Sequence, residues 1–294
     1  MPTPPGSSLR FGSWQVDCVV TGDFKLDGGA MFGVVPKNLW QKSNPADEQN
    51  RIDMTMRVLC LRRGDRVVLV DTGMGHKDNA KSHEIFAVDF RVHSLAGGLA
   101  AIGVAPEDVT DVILTHLHFD HAGGCVLRED DTLSLLFPRA THYLQKRHWE
   151  WAQHPSERDR ASFIPDNYLP IHDAGRLQLL DGPEEILGDL SLHIVDGHTF
   201  AQQLVRLHDG DRALLFAGDL VPMHAHVPGP WIMGYDLQPL VTLEEKNTVL
   251  SDTAARGDVL VFEHDRAVEA ATVLRTDRGF RLGKAGRLSD ILGS

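Results

Sequence analysis

Residues 115–124 read THLHFDHAGG and follow the apolar run DVIL. Three histidines and an aspartate, His116, His118, Asp120 and His121, fall within six residues. In an extended segment, residues two apart point the same way, so His116 and His118 can converge on one point. His121 turns the corner, and Ala122, Gly123 and Gly124 let the backbone bend sharply there. Imidazole and carboxylate donors suit zinc or a similar first-row metal. Four potential ligands on one loop exceed what one open catalytic metal takes from a single segment, so two adjacent ions are expected. A solvated, idle histidine-rich loop is the plain alternative. The HxHxDH spacing and the buried-type strand before it weigh against that alternative.

Outward from this stretch, the strands end on further ligand types. His198 follows LSLHIVDG, Asp219 follows ALLFAG, and His264 follows DVLVFE. Strand ends are where α/β folds place reactive groups. Singly each is weak, but jointly they complete two metal sites. Elsewhere, MTMRVLCLRRGDRVVLVDTG (residues 54–73) reads as two strands joined at Gly64 and Asp65. SLAGGLAAIG reads as a helix stopped near Gly103, KRHWEWAQH as a helix ended by Pro155, and TLEEKNTVLSDTAAR as an amphipathic helix. FGSWQVDCVVTGDFKLDGGAMFGVVPKNLW reads as strand, turn, strand, and AATVLRTDRGFRLGK as a last hairpin. SERDRASFIPDNYLPIHDAG is a long irregular excursion, the kind that in a compact domain is more often functional than idle. Strands interleaved with helices, with no linker or repeat, predict one α/β domain over residues 1–294.

Bulk properties narrow the partners. The chain has 294 residues, 42% of them hydrophobic, and a formal net charge of −12. Such an acidic total disfavours nucleic acid. No apolar run reaches the ~20 residues of a membrane span, and the Pro-rich start lacks the features of a signal peptide. The three cysteines, Cys18, Cys60 and Cys125, show no CxxC spacing, which fits a reducing compartment. A cytoplasmic protein acting on a small molecule is expected, with room for a homodimer.

VLVDTG at 68–73, THLHFDHAGG at 115–124, GHT at 197–199, AGD at 217–219 and the histidine of FEHD together resemble the metallo-β-lactamase superfamily. The resemblance implies an αββα sandwich of two mixed sheets with helices outside. It implies that His116, His118 and His198 hold one divalent ion, that Asp120, His121 and His264 hold the other, and that Asp219 bridges both. Zinc is the first choice, with manganese, iron or cobalt as alternatives. Asp71 would support the ligand loop from behind. A water shared by two cations loses its proton near neutral pH and becomes the nucleophile, with Asp120 placed to accept or relay a proton. The family often has a second histidine where this chain has Gln202, which leaves any role resting there open.

Among the branches, quorum-quenching lactonases, which share HLHFDHAGG, and methyl parathion hydrolase-like enzymes fit best. Ester or lactone cleavage comes first and phosphotriester cleavage second. Behind them stand a glyoxalase II-like thioesterase, for which the chain after His264 is short, and a non-catalytic metal-binding module. A redox di-iron centre would need an electron carrier that this chain does not encode. Met31, Phe32, Phe86, Trp149, Phe163 and His226 are candidates for the substrate pocket, with packing as the competing reading for each aromatic. Trp149 and Trp151, two apart on a helix, cannot both face one pocket. Either His224 or His226 could protonate a leaving group. The remaining singled-out histidines, among them His142 and His148, are expected to be structural or at the surface.

Overall fold

The computed structural model describes residues 9–77 and 80–293. The Pro-rich start, residues 1–8, lies outside the described residues. Two compact units emerge, one built from the chain up to Asp23 and from Met56–Gly182, the other from Phe24–Thr55 and from Pro183 onward.

The first sheet has seven strands among the described residues. They are β1 (Leu9–Phe11), β2 (Trp14–Asp27), β3 (Arg51–Arg63), β4 (Arg66–Val70), β5 (Asp111–Ile113), β8 (Thr141–Gln145) and β9 (Leu177–Leu180), ordered β1-β2-β3-β4-β5-β8-β9. A separate hairpin pairs β6 (Val126–Glu129) with β7 (Thr132–Leu135). The β3–β4 hairpin closes at Arg63 opposite Arg66, with Gly64 at φ +57°, as the Gly64-Asp65 signal predicts. From β4 onward the strands run parallel, so each must return through a crossover. One crossover contains Leu95–Ala101, a helix capped by the Ser94 side chain accepting from Gly97 N–H. The core of this unit includes Val58, Leu69, Leu99, Val112, Leu114, Leu117, Phe137 and Leu144, all buried.

The second sheet runs in sequence order: β10 (Glu185–Ile186), β11 (Leu190–Val195), β12 (Gln202–Asp209), β13 (Arg212–Phe216), β14 (Val259–Val261), β15 (Ala270–Thr276) and β16 (Gly279–Gly286). Only β13 and β14 pair in parallel, and the helix Pro239–Arg256 makes their crossover before Gly257 ends it at φ +70°. Val249 and Leu250 from this helix join Leu204, Leu215, Leu260 and Phe262 in a second core. Both sheets are mixed and helices accompany them, the α/β class expected.

One stretch departs from its predicted form. GGAMF is a short helix, Gly28–Phe32, rather than the turn of a strand–turn–strand. The Asp27 side chain accepts from Ala30 N–H and satisfies its first turn, and β2 runs unbroken for 14 residues up to it. Gly28 is required by contact, since a Cβ there would lie 2.4 Å from the Trp40 ring.

Candidate metal centre

In the first unit the ligand loop leaves β5 and passes through His116 and His118 into a four-residue helix, Phe119–Ala122. His118 caps it in extended conformation, so Asp120 and His121 turn back beside the two histidines. The His116 ring lies 4.4 Å from that of His118 and 3.9 Å from that of His121. Asp120 Oδ1 is 3.8 Å from His121 Nε2, and all four residues are buried. The glycines that follow serve a different purpose from the bend predicted. Gly123 is helical at φ −60°, but a Cβ there would sit 1.9 Å from the Met74 carbonyl oxygen. At Gly124 the clash would be 2.3 Å from the Thr72 oxygen. Two backbone segments touch here, and no side chain fits between them.

Asp71, fully buried at the end of β4, organises this loop. Its Oδ1 accepts from Thr115 N–H at 2.7 Å and its Oδ2 from Thr115 Oγ1 at 2.6 Å. His121 Nδ1 lies 3.1 Å from the same Oδ2 and is the donor, because a carboxylate only accepts. With the Thr115 hydroxyl hydrogen given to Asp71, its oxygen accepts from His116 Nδ1 at 3.0 Å. Behind the loop, the buried His148 accepts Leu117 N–H through Nε2 at 2.8 Å.

In the second unit, His198, Asp219 and His264 come together from the ends of β11, β13 and β14. Asp219 Oδ2 is 3.2 Å from His198 Nε2, and Asp219 Oδ1 is 3.1 Å from His264 Nε2. His198 Nδ1 donates to Asp236 Oδ1 at 3.1 Å, and His264 Nδ1 to the Thr55 carbonyl at 3.0 Å. Gln202, with its amide turned to suit its neighbours, accepts from Asp219 N–H at 3.1 Å and Leu220 N–H at 3.3 Å. The departure at this position thus fixes the backbone that carries Asp219.

The donor set fits divalent cations. His116, His121, His198 and His264 each commit Nδ1–H to an oxygen, which leaves the Nε2 lone pair as the ligating face. Where such a lone pair meets a carboxylate oxygen at 3.1–3.2 Å, two acceptors face each other. A bound cation would relieve that repulsion, since both groups are electron-pair donors it can accept.

The candidate pocket residues divide. Phe163 bridges to His118 in backbone pairing, its ring 4.9 Å away. Phe86 stacks at 5.0 Å on Phe119, which lies between His118 and Asp120. Trp149 packs on Tyr168 and His172, while Trp151 points elsewhere and donates Nε1–H to Asp159 at 2.7 Å. Met31 and Phe32 are buried in the second unit, with the Phe32 ring between Trp40 and His226. His226 Nε2 donates to the Met31 carbonyl at 2.8 Å, and burial pushes its pKa down to about 4. His224 pairs with Asp265, whose carboxylate raises its pKa. Sequence reasoning gave no role to Thr115 or Asp236, since neither is a ligand type in a recognisable spacing, whereas His148 is structural, as expected.

Residues 58–264 match the family model of the metallo-beta-lactamase superfamily, and the chain belongs to that superfamily and has its α/β fold. It is 27% identical over 164 residues to an N-acyl homoserine lactonase of a Bacillus species, covering 52% of this chain and 58% of that protein. The match thus spans little more than half of that relative's length. Among solved structures, a probable metal-dependent hydrolase from Staphylococcus aureus superposes with a TM-score of 0.86 at 26% identity, covering 95% of this chain and 99% of the other. A dizinc quorum-quenching lactonase, AidC, solved with a product, superposes at 0.78 with 19% identity over 95% of this chain and 97% of its own, a likeness of fold. No helix among the described residues is long and apolar enough to cross a membrane.

Proposed function

We propose that the chain is a metal-dependent hydrolase whose seven residues, His116, His118, Asp120, His121, His198, Asp219 and His264, hold two divalent cations, zinc first. The observation that carries this is Asp219, which offers one oxygen to His198 Nε2 and the other to His264 Nε2 while both imidazoles are committed at Nδ1. Bound there, two such cations would supply acidity for a water nucleophile near neutral pH and Lewis-acid polarisation of the oxygen under attack. The chain's own residues do the rest. Asp71 and Asp236 hold imidazoles in one tautomer and orientation. Asp120 is a buried carboxylate on the ligand loop, suited to take a proton from the nucleophile or pass one to the leaving alkoxide. Phe163 and Phe86 with Phe119 place apolar surface next to the histidines, which suits a substrate with an acyl chain.

The substrate class is a small-molecule ester or lactone, and the lactonase relatives favour the acyl homoserine lactone type. The test is a hydrolysis panel of acyl homoserine lactones, aryl esters and phosphotriesters on protein of measured metal content. Ring opening of the lactones, two ions per chain, and loss of turnover by orders of magnitude in Asp219→Ala are expected. Phosphotriester turnover with inert lactones would move the reading to the second branch. Active protein holding one ion or none under metal-replete conditions would sink the dinuclear centre.

A further inference from the structure

The helix Pro239–Arg256 carries a lysine on its buried stripe. Lys246 is fully buried alongside Thr242, Val249, Leu250 and Thr253, at helical spacing. Burying an ammonium is costly unless its protons are taken up. Here its Nζ donates to three carbonyls, those of His226 at 3.0 Å, Pro228 at 3.1 Å and Trp231 at 2.7 Å. The preceding residue, Glu245, is half-buried and reaches a different segment, as neighbours on a helix must. Its Oε1 accepts from Asp196 N–H at 2.7 Å and its Oε2 from Gly197 N–H at 2.9 Å. Both segments lead to one side chain. The turn held by Glu245 runs directly into His198, and the helix packs so closely on it that a Cβ at Gly197 would lie 2.4 Å from Thr242 Cα. The loop held by Lys246 runs on to Asp236. There Asp236 Oδ2 accepts from Met233 N–H at 3.1 Å, and Oδ1 accepts from His198 Nδ1.

We propose that Glu245 and Lys246 are positioning residues for His198, one fixing the backbone that presents the imidazole and the other fixing the loop whose carboxylate sets its ring and tautomer. The inference rests on the reading of His198 as a metal ligand. A plain packing role would need only an apolar residue at Lys246. Instead a charge is buried where its three hydrogen bonds converge on the loop that reaches Asp236. A ligand oriented by such outer partners binds metal about 10–100-fold more tightly than one without them.

The experiment measures zinc affinity by competition with a chromophoric chelator, together with metal-free melting, in wild type, Glu245→Gln, Lys246→Met and Val249→Ala. Glu245→Gln is the gentle variant, because its amide keeps one acceptor oxygen. Val249→Ala thins the same helix's core without touching either segment. The expected result is that Glu245→Gln and Lys246→Met lose about 10–100-fold in affinity for one of the two ions. Val249→Ala lowers the melting temperature and leaves both affinities unchanged. Equal affinities in wild type and Glu245→Gln, or a loss in Val249→Ala proportional to its destabilisation, would overturn the proposal. Wild-type protein that takes up no zinc would instead sink the reading of the centre on which the proposal stands.

Discussion

Asp71 adopts φ +60°, a left-handed conformation that non-glycine residues other than Asn and Asp seldom take. That backbone turns a carboxylate at the end of β4 inward, where it accepts from two Thr115 groups and from His121. Asp71→Asn preserves the shape but replaces one acceptor oxygen with a donor, facing either Thr115 or His121 Nδ1. Zinc affinity measured by chelator competition should fall about 10–100-fold, with the fold retained by circular dichroism. Unchanged affinity would show that the His121 tautomer is set elsewhere. Asp71 was legible through the family resemblance that VLVDTG carries. His148 and Gln202 were not legible in the same way. Each acts by accepting backbone N–H groups of the segments that carry ligands, Leu117 for one and Asp219 and Leu220 for the other. No spacing in the sequence announces a partner that distant.

At the scale of elements, the ligand loop and the segment from Thr72 to Gly75 behave as one unit held by backbone contact. Thr72 N–H and Oγ1 both donate to the His121 carbonyl, and Gly124 N–H donates to the Gly73 carbonyl. Gly123→Ala would drive a Cβ to 1.9 Å from the Met74 oxygen, so one segment must give way. A loss of about 3 kcal/mol or more in urea unfolding is expected, together with loss of metal. Gly64→Ala is the control. Nothing lies within 4 Å of its Cβ, and φ +57° alone should cost about 1–2 kcal/mol with metal content intact. Equal effects of the two substitutions would refute the contact argument. Helices and hairpins with strong local signals, such as Lys146–Gln153 and the β3–β4 turn, were legible. The helix Gly28–Phe32 was not, because its glycines mimic a turn and the Asp27 cap and Trp40 contact decide it. The long stretch of residues 156–175 also hid its short turns and the helix Leu169–Asp173.

For the molecule as a whole, acid stability has a named contributor that is not a proposed ligand. His142 on β8 is fully buried, and that burial pushes its pKa down to about 4 from 6.5. Its folded form is neutral, so the unfolded chain takes up a proton first as the pH falls. The stabilisation is therefore complete above pH 6.5 and lost progressively between 6.5 and about 4. Urea unfolding of metal-free protein should show a fall across that window about 3 kcal/mol shallower in His142→Leu. Parallel curves for the two proteins would assign the acid sensitivity to other groups. The candidate ligand residues were legible as local signals, at strand ends and in the HxHxDH run. The division of the chain was not. Residues 24–55 belong with the C-terminal unit, through contacts such as that of the His264 ring with the Thr55 carbonyl, which spans 209 positions. That span has a consequence during synthesis. At about 5–20 residues per second, a ribosome finishes His264 about 10–40 s after Thr55. For all that time the Thr55 carbonyl waits without its imidazole, open to whatever other donor the nascent chain or the cell can offer it.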